Sequence, residues 1–398
     1  MKAGILFLVL GYSLSQFYRS FLAVLTPVLG TDIGATSSDL SFASGMWFVV
    51  FAAMQIPVGW ALDKLGPRIT VVSLLALGGG LGGAIFAMAN SPIWVVVAMA
   101  LFGVAGAPVL MSAYYIFARV FPQAIFATLA GAMIGFGSVG NLAGSAPLAY
   151  SVNAFGWRET MWGLALAACV VALALFVFLK DPPKDAAESD QKGNLISLLK
   201  NRNLLLLFPL MFVSYAPVAG IRGLWAGPYL EDVYGMDQTG IGRATFLMAL
   251  AMIAGSFAYG PAERLIGSKK RIIMGGNLIV AGLCMALWLW PQTNPLAAAV
   301  WFMAIGFFGA SFPAMMAHGQ MFLPRHLIGR GITLINLFGI GGVGALQFLT
   351  SGMARNAGPV ASSTPEFYAG LFLIFGLGLL IGCAVYVFCD ELKNQRAD

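Results

Sequence analysis

The sequence is short of charge. Only 10% of its 398 residues are Asp, Glu, Lys or Arg, while 59% are hydrophobic; a soluble domain carries about 25% charged residues. So few charges could not cover a water-facing surface, so lipid must be most of the solvent. Histidine is scarcer still, at two residues. The four cysteines, Cys169, Cys284, Cys383 and Cys389, lie in or beside apolar runs and lack metal-ligand spacing, which points to buried, unreactive thiols and no metal centre. A phosphate-cradling glycine loop and a nucleophile elbow are missing too, so neither cofactor nor enzyme chemistry is expected. No Asp or Glu falls deep inside an apolar run.

What the chain has in quantity is long apolar runs. A helix needs about 20 apolar residues to cross a hydrocarbon core roughly 30 Å thick. Runs of that order occupy 4–29, 42–62, 69–89, 94–118, 125–150 and 160–180, then 204–230, 243–262, 272–291, 297–322, 331–352 and 367–388. The first is too long for the core of a signal peptide and reads as a membrane helix. Between the two sets lies a polar stretch, rich in charge and helix breakers, that reads as a linker. The pattern predicts an all-α integral membrane protein with twelve transmembrane helices in two six-helix bundles: residues 1–180, a cytoplasmic linker at 181–203, and residues 204–398 with a short cytoplasmic tail.

The net charge of +6 resides in small clusters between the runs, a topological pattern rather than a nucleic-acid-binding face. With the N-terminus inside, seventeen basic residues fall on the cytoplasmic side, from Lys2 and Lys64 to Lys393 and Arg396. Three fall outside: Arg158, Arg243 and Arg355. The positive-inside rule then predicts an inner (cytoplasmic) membrane protein with both termini in the cytoplasm.

The two halves echo each other. Pro27-Val28-Leu29 with Asp32 and Gly34 recurs as Pro228-Tyr229-Leu230 with Asp232 and Gly235. The glycine run 135–140 recurs at 339–344, and Phe121-Pro122 recurs as Leu323-Pro324. Ordered repeats at a nearly constant offset suggest two bundles related by an axis along the membrane normal, with a site between them.

The loop between the second and third runs reads Gly59-Trp60-Ala61-Leu62-Asp63-Lys64-Leu65-Gly66-Pro67-Arg68. It resembles the signature of the major facilitator superfamily: glycine, an acid four residues on, then glycine and basic residues in a tight cytoplasmic turn. Gly260 to Lys270 in the second half keeps the acid (Glu263), the glycine and the bases, including Lys269, with one extra residue. The resemblance implies a cytoplasmic latch in which Asp63 meets the start of the eleventh helix near Arg330 and Gly331. Gly59, Gly66, Arg68, Glu263 and Lys269 would be further gating residues. A carboxylate is favoured at a helix N-terminus.

Two basic residues lie inside membrane runs: Arg19 in the first and Arg222 in the seventh, 203 positions apart. A buried ionisable group costs at least about 2.5–3.5 kcal/mol on insertion scales and so points to function. The repeat predicts that the two arginines face each other, with an anion from outside as their simplest partner, because guanidinium grips carboxylate or phosphate through paired hydrogen bonds. The arrangement resembles the superfamily's organic-anion and organophosphate carriers, in which arginines on helices one and seven hold the substrate. Tyr18, Trp225, Tyr114, Tyr115, Gln55, Asn141 and Asn336 are further candidates for a polar cavity. Trp225 would share a helical face with Arg222.

With no intramembrane carboxylate, His318 is the candidate for proton coupling. A proton, sodium or a counter-anion could each drive transport. These readings together predict a monomeric secondary transporter for a small organic anion, working by alternating access. Two alternatives remain open. Gly131, Gly140, Gly144 and Pro147 partly match a glycine-proline pattern resembling that of the superfamily's drug exporters. A transporter-like sensor would bind a ligand without moving it.

Overall fold

The computed structural model describes residues 2–35, 37–144, 146–183, 195–236, 238–292 and 294–391, all of them helical or in short connections. Most of the linker, with Lys184 and Lys192, and the tail with Lys393 and Arg396 lie outside the described residues.

Among the described residues, eleven helical segments are long and apolar enough to cross a membrane, from Phe42–Lys64 to Pro365–Tyr386. The predicted first span is built from two helices, Lys2–Ser20 and Leu22–Ile33, with a single-residue interruption at Phe21. Other spans are interrupted as well. The seventh runs through Arg202–Ser214, Ala216–Gly220, a widened i→i+5 turn at Ile221–Trp225, and Ala226–Tyr234. The tenth breaks between Pro295–Phe308 and Phe312–Gln320. Pro217 and Pro313 sit in the first turn of the resuming segments, where a missing N–H costs no internal bond.

The chain divides into two compact units. The first comprises Met1–Phe121, Met133–Gly193 and Pro324–Leu334. The second comprises Pro122–Ala132, Asn194–Leu323 and Ile335–Asp398. The chain changes unit at the repeated Phe121-Pro122 and Leu323-Pro324 pairs.

The same devices recur inside each unit. Gly34 and Gly235 end their helices in the left-handed conformation, at φ +68° and +63°, where a side chain would be strained. In the first unit Trp157 Nε1 donates to Asp32 at 2.7 Å, and in the second the Tyr368 hydroxyl donates to Asp232. Each bond ties the end of a unit's first span to the start of its last. The glycine runs pack alike: a Cβ on Gly140 would collide with the Ser13 carbonyl, and one on Gly342 with the Phe212 carbonyl. Lipid gives no hydrophobic push between membrane helices, so such close backbone approach supplies the packing.

Basic residues close the helix ends. Arg68 Nε donates to the Phe176 carbonyl at 2.8 Å and its guanidinium lies 4.5 Å from the Phe176 ring. In the second unit Lys270 Nζ donates to the carbonyls of Val387 and Cys389, at 2.6 and 2.7 Å. Both cations satisfy terminal carbonyls where the helix dipole favours positive charge.

Gly140→Val should drive its helix off Ser13 and destabilise the protein by about 1–3 kcal/mol, read as a lower melting temperature in detergent. Gly341→Val, where nothing lies within 4 Å of the new Cβ, should cost clearly less.

Candidate functional site

Arg19 occupies the last turn of Lys2–Ser20, beside the interruption at Phe21. Its guanidinium carbon lies 4.8 Å from the Trp47 ring centroid and 5.4 Å from that of Phe51. Those two rings stack on each other at 4.9 Å. Arg19 Nε is buried without a hydrogen-bond partner. In the second unit Arg222 sits within the widened turn Ile221–Trp225 and its Nε is likewise buried and unpartnered. Widened turns of this kind often mark functional sites. Among the described residues, the ion pairs seen are Glu263–Lys269 and Asp63–Arg330, and neither includes Arg19 or Arg222.

Several of the remaining polar candidates have other neighbours. Tyr18 is one residue from Arg19 but points elsewhere: its ring stacks on Phe102 at 4.0 Å and its hydroxyl faces Gly79. Successive helical residues diverge by about 100°, so adjacency in sequence separates them in space. Trp225 leaves the Arg222 face as well. Its Nε1 donates to Thr350 Oγ1 at 3.1 Å, and its ring meets Phe367 and Tyr368 edge-on. The i+3 argument assumed 3.6 residues per turn, and an i→i+5 turn holds more.

Tyr114 and Tyr115 are fully buried, and Tyr115 lies 5.0 Å under the Arg119 guanidinium, not under Arg19. Gln55 is fully buried and donates to the Phe51 carbonyl of its own helix. Asn141 is half-buried next to the Gly140 crossing, and Asn336 is buried in Ile328–Ala361. Trp47 and Phe51, which flank Arg19, and Ser15, one helical turn before it, do not stand out in the sequence. Ser15, four residues before Arg19, could have been found from helical spacing; the other two come from a separate helix and carry no such signal.

At the signature loop the structure brings together most of what the sequence pointed to. Asp63 Oδ1 accepts from the Gly329 N–H at 2.7 Å, and Oδ2 accepts from the Arg330 N–H at 3.2 Å. Arg330 Nε lies 3.5 Å from Oδ2. A carboxylate thus caps the first turn of Ile328–Ala361, with Gly329 in place of the expected Gly331. Gly59 permits the approach, since a Cβ there would lie 3.0 Å from Arg330 Cα. Arg119, read from sequence only as a topology residue, donates to the Arg325 carbonyl at 2.7 Å and braces the same turn. Gly66, at φ +92°, makes the tight turn; its space is taken by Asp181, which accepts from the Arg68 N–H at 2.8 Å. Arg68 is therefore bound to its own bundle's last span rather than to Asp63.

The second copy of the loop works differently. Glu263 does not cap a neighbouring helix; it pairs with Lys269 across the turn at 2.6 Å, with both side chains buried. Its neighbour Arg264 reaches the adjacent helix instead, donating to Thr128 Oγ1 at 2.8 Å. A cation at that helix start lacks the dipole advantage that Asp63 enjoys.

His318 is held at both ring nitrogens. Nε2 lies 3.1 Å from the Asp390 carbonyl, which can only accept, so Nε2 carries the proton. Nδ1 then accepts from the Tyr386 hydroxyl at 2.6 Å. Asp390 is fixed in turn by Asn203, through its N–H at 3.0 Å and its carboxylate at 3.1 Å. The histidine fastens the end of the last span, a structural task that competes with proton exchange. The exporter-like glycines are also accounted for by packing: Gly131 meets the Ser256 carbonyl, Gly140 the Ser13 carbonyl, and Gly144 the Ser20 hydroxyl. Among the described residues no cluster of His, Cys, Asp and Glu is placed to hold a metal.

Residues 8–347 match the family described as Major Facilitator Superfamily. The chain belongs to that superfamily. This makes it a membrane-spanning secondary transporter, not an enzyme. The superfamily member is 24% identical over 320 residues to a probable sulfoacetate transporter, SauU, of Cupriavidus necator, covering 75% of this chain and 74% of that one. It is 23% identical to a quinolone resistance transporter of Acinetobacter baumannii, covering 93% and 90%. It is 22% identical to a putative tartrate transporter of Agrobacterium vitis, covering 93% and 89%. Its fold matches the proton:xylose symporter XylE bound to 6-bromo-6-deoxy-D-glucose, with a TM-score of 0.76 at 13% identity over 98% and 96% of the two chains. It also matches the human organic anion transporter MFSD10, with a TM-score of 0.69 at 15% identity over 95% and 99%.

Asp63→Asn removes a charged acceptor from two helix-start amides. Hydrogen exchange at Gly329 and Arg330 should accelerate about tenfold or more, while Glu263→Gln should leave those amides unchanged.

Proposed function

We propose that this transporter moves a small organic anion, a carboxylate, sulfonate or phosphorylated compound, with Arg19 and Arg222 as its ligands. The observation that carries the reading is the state of the two arginines. Each has a buried Nε without a partner, and neither is answered by a carboxylate in the ion pairs seen among the described residues. A half-buried guanidinium in a lipid-embedded chain needs an anion, and a substrate can provide one. Two of the relatives are described as transporters of sulfoacetate and tartrate, both small organic anions. That agrees with the sign of the site.

In this reading the chain forms twelve spans in two six-helix bundles, the first span being the pair Lys2–Ser20 and Leu22–Ile33, with both termini in the cytoplasm. Asp63 holds the start of Ile328–Ala361 while the cytoplasmic side is shut and lets it go when that side opens. Coupling runs through the substrate's own charge, by exchange with a counter-anion or with protons carried on the substrate, because His318 is engaged elsewhere.

The quinolone resistance relative keeps export of lipophilic compounds as the competing reading. A thermal-shift screen in detergent separates the two. Under the anion reading, sulfoacetate, tartrate or a phosphate ester raises the melting temperature of the wild type by mass action, and Arg19→Gln and Arg222→Gln each abolish the rise. Stabilisation by neutral or cationic lipophiles alone, undiminished in both variants, would transfer the assignment to export.

A further inference from the structure

Among the described residues of the first unit, three of the buried donors left without a partner, besides the Tyr18 and Ser112 hydroxyls, belong to neighbouring side chains. Ser15 Oγ, Trp47 Nε1 and Arg19 Nε are all buried without partners, and the serine and tryptophan are only 2% and 1% exposed. A serine in a membrane helix ordinarily turns its hydroxyl back to a carbonyl one turn earlier, as Ser13 does to Val9. Ser15 does not. Indole N–H and guanidinium N–H can only donate, so the group lacks an acceptor.

The three are gathered in one place. Ser15 lies one turn before Arg19 on the same helical face. Opposite them is Gly106, where an added Cβ would lie 2.7 Å from Ser15 Oγ and 3.2 Å from Trp47 Cζ2, so hydroxyl and indole meet over that glycine. The Arg19 guanidinium stands 4.8 Å from the Trp47 ring, which is itself stacked on Phe51 with planes 18° apart. A cation over an indole face is held in orientation as well as attracted. Buried donors left unpaired are costly, and one oxyanion with several acceptor oxygens would relieve all three.

In the second unit Ser214 Oγ and Arg222 Nε are also buried without partners, but the tryptophan nearest in the chain, Trp225, spends its N–H on Thr350.

We infer that Ser15, Arg19 and Trp47 form a single oxyanion subsite within the first unit, Trp47 orienting the Arg19 guanidinium with its face and donating to a substrate carboxylate or sulfonate through its N–H. The inference rests on the anion reading above and adds to it the two residues that would fix the anion's position.

The test measures binding to the full-length protein in detergent, using sulfoacetate, tartrate and glycerol 3-phosphate as probes. Wild type is compared with Ser15→Ala, Trp47→Phe and Arg19→Gln. Phenylalanine keeps an aromatic ring but removes the N–H together with part of the indole plate, so Ser15→Ala serves as the second, smaller deletion of a donor. Trp47→Phe should raise the dissociation constant about tenfold or more, the effect of losing one hydrogen bond to a charged group, with the unliganded melting temperature little changed. Ser15→Ala should move it in the same direction. An anion-dependent change in tryptophan fluorescence should vanish in Trp47→Phe, although eight of the nine tryptophans remain; a merely structural Trp47 would not do this.

If Trp47→Phe proves poorly folded, Ser15→Ala alone decides. Wild-type affinity in Ser15→Ala and Trp47→Phe, with binding lost in Arg19→Gln, would overturn the subsite and leave the arginine reading standing. Undiminished binding in all three variants, or binding of none of the three probes to the wild type, would overturn both.

Discussion

Hydrocarbon offers no hydrogen bonds, and that single fact governs where every polar group of this chain can go. A backbone amide, a hydroxyl or a charge inside the bilayer must be answered by another part of the protein or by something the protein carries. Most are answered internally. Serines and threonines turn back to carbonyls of their own helices, Trp157 and Tyr368 serve Asp32 and Asp232, and Arg68 and Lys270 take up the free carbonyls at span ends. Against that thoroughness the unanswered donors stand out, and those of Arg19, Trp47 and Arg222 are among them.

The same accounting explains why the two copies of the signature loop behave differently. A carboxylate at a helix start gains from both the free N–H groups and the helix dipole, so Asp63 can hold the first turn of Ile328–Ala361. At the second copy the carboxylate is one position displaced. Glu263 turns to Lys269, and Arg264 meets the neighbouring helix only through a threonine hydroxyl. A one-position shift of the acid between two equally spaced glycines thus accompanies the change from a charge-on-dipole contact to an ordinary hydrogen bond.

Features that depend on period and sign could be read from the sequence. The apolar runs, the echo of glycine, proline and acidic positions between halves, the isolated arginines and the Asp63 contact near Arg330 all reduce to spacing or to charge in an apolar context. What could not be read depends on where a helix departs from ideal winding or on which side chain a neighbouring helix presents. Trp225 was assigned to the Arg222 face on a 3.6-residue turn that the chain does not keep there. Tyr18 was joined to Arg19 by adjacency, though adjacent helical side chains diverge. Trp47 became visible only once its helix was packed beside Arg19. The two partners of His318, Tyr386 and the Asp390 carbonyl, could not be read either, since they lie about seventy residues away in the chain.

The glycine crossings have a mechanical meaning. Where Gly140 touches the Ser13 carbonyl, Gly342 the Phe212 carbonyl and Gly255 the Phe307 carbonyl, the helices meet backbone to backbone, with no side chain between them to act as a lubricant. Such a bundle has almost no clearance for sliding and should behave as a stiff body. Compliance is left to the interruptions at Phe21, at Ile221–Trp225 and between Phe308 and Phe312. The first two hold or adjoin Arg19 and Arg222. Whatever load falls on those two arginines is therefore met at the turns where the helices are least regularly wound.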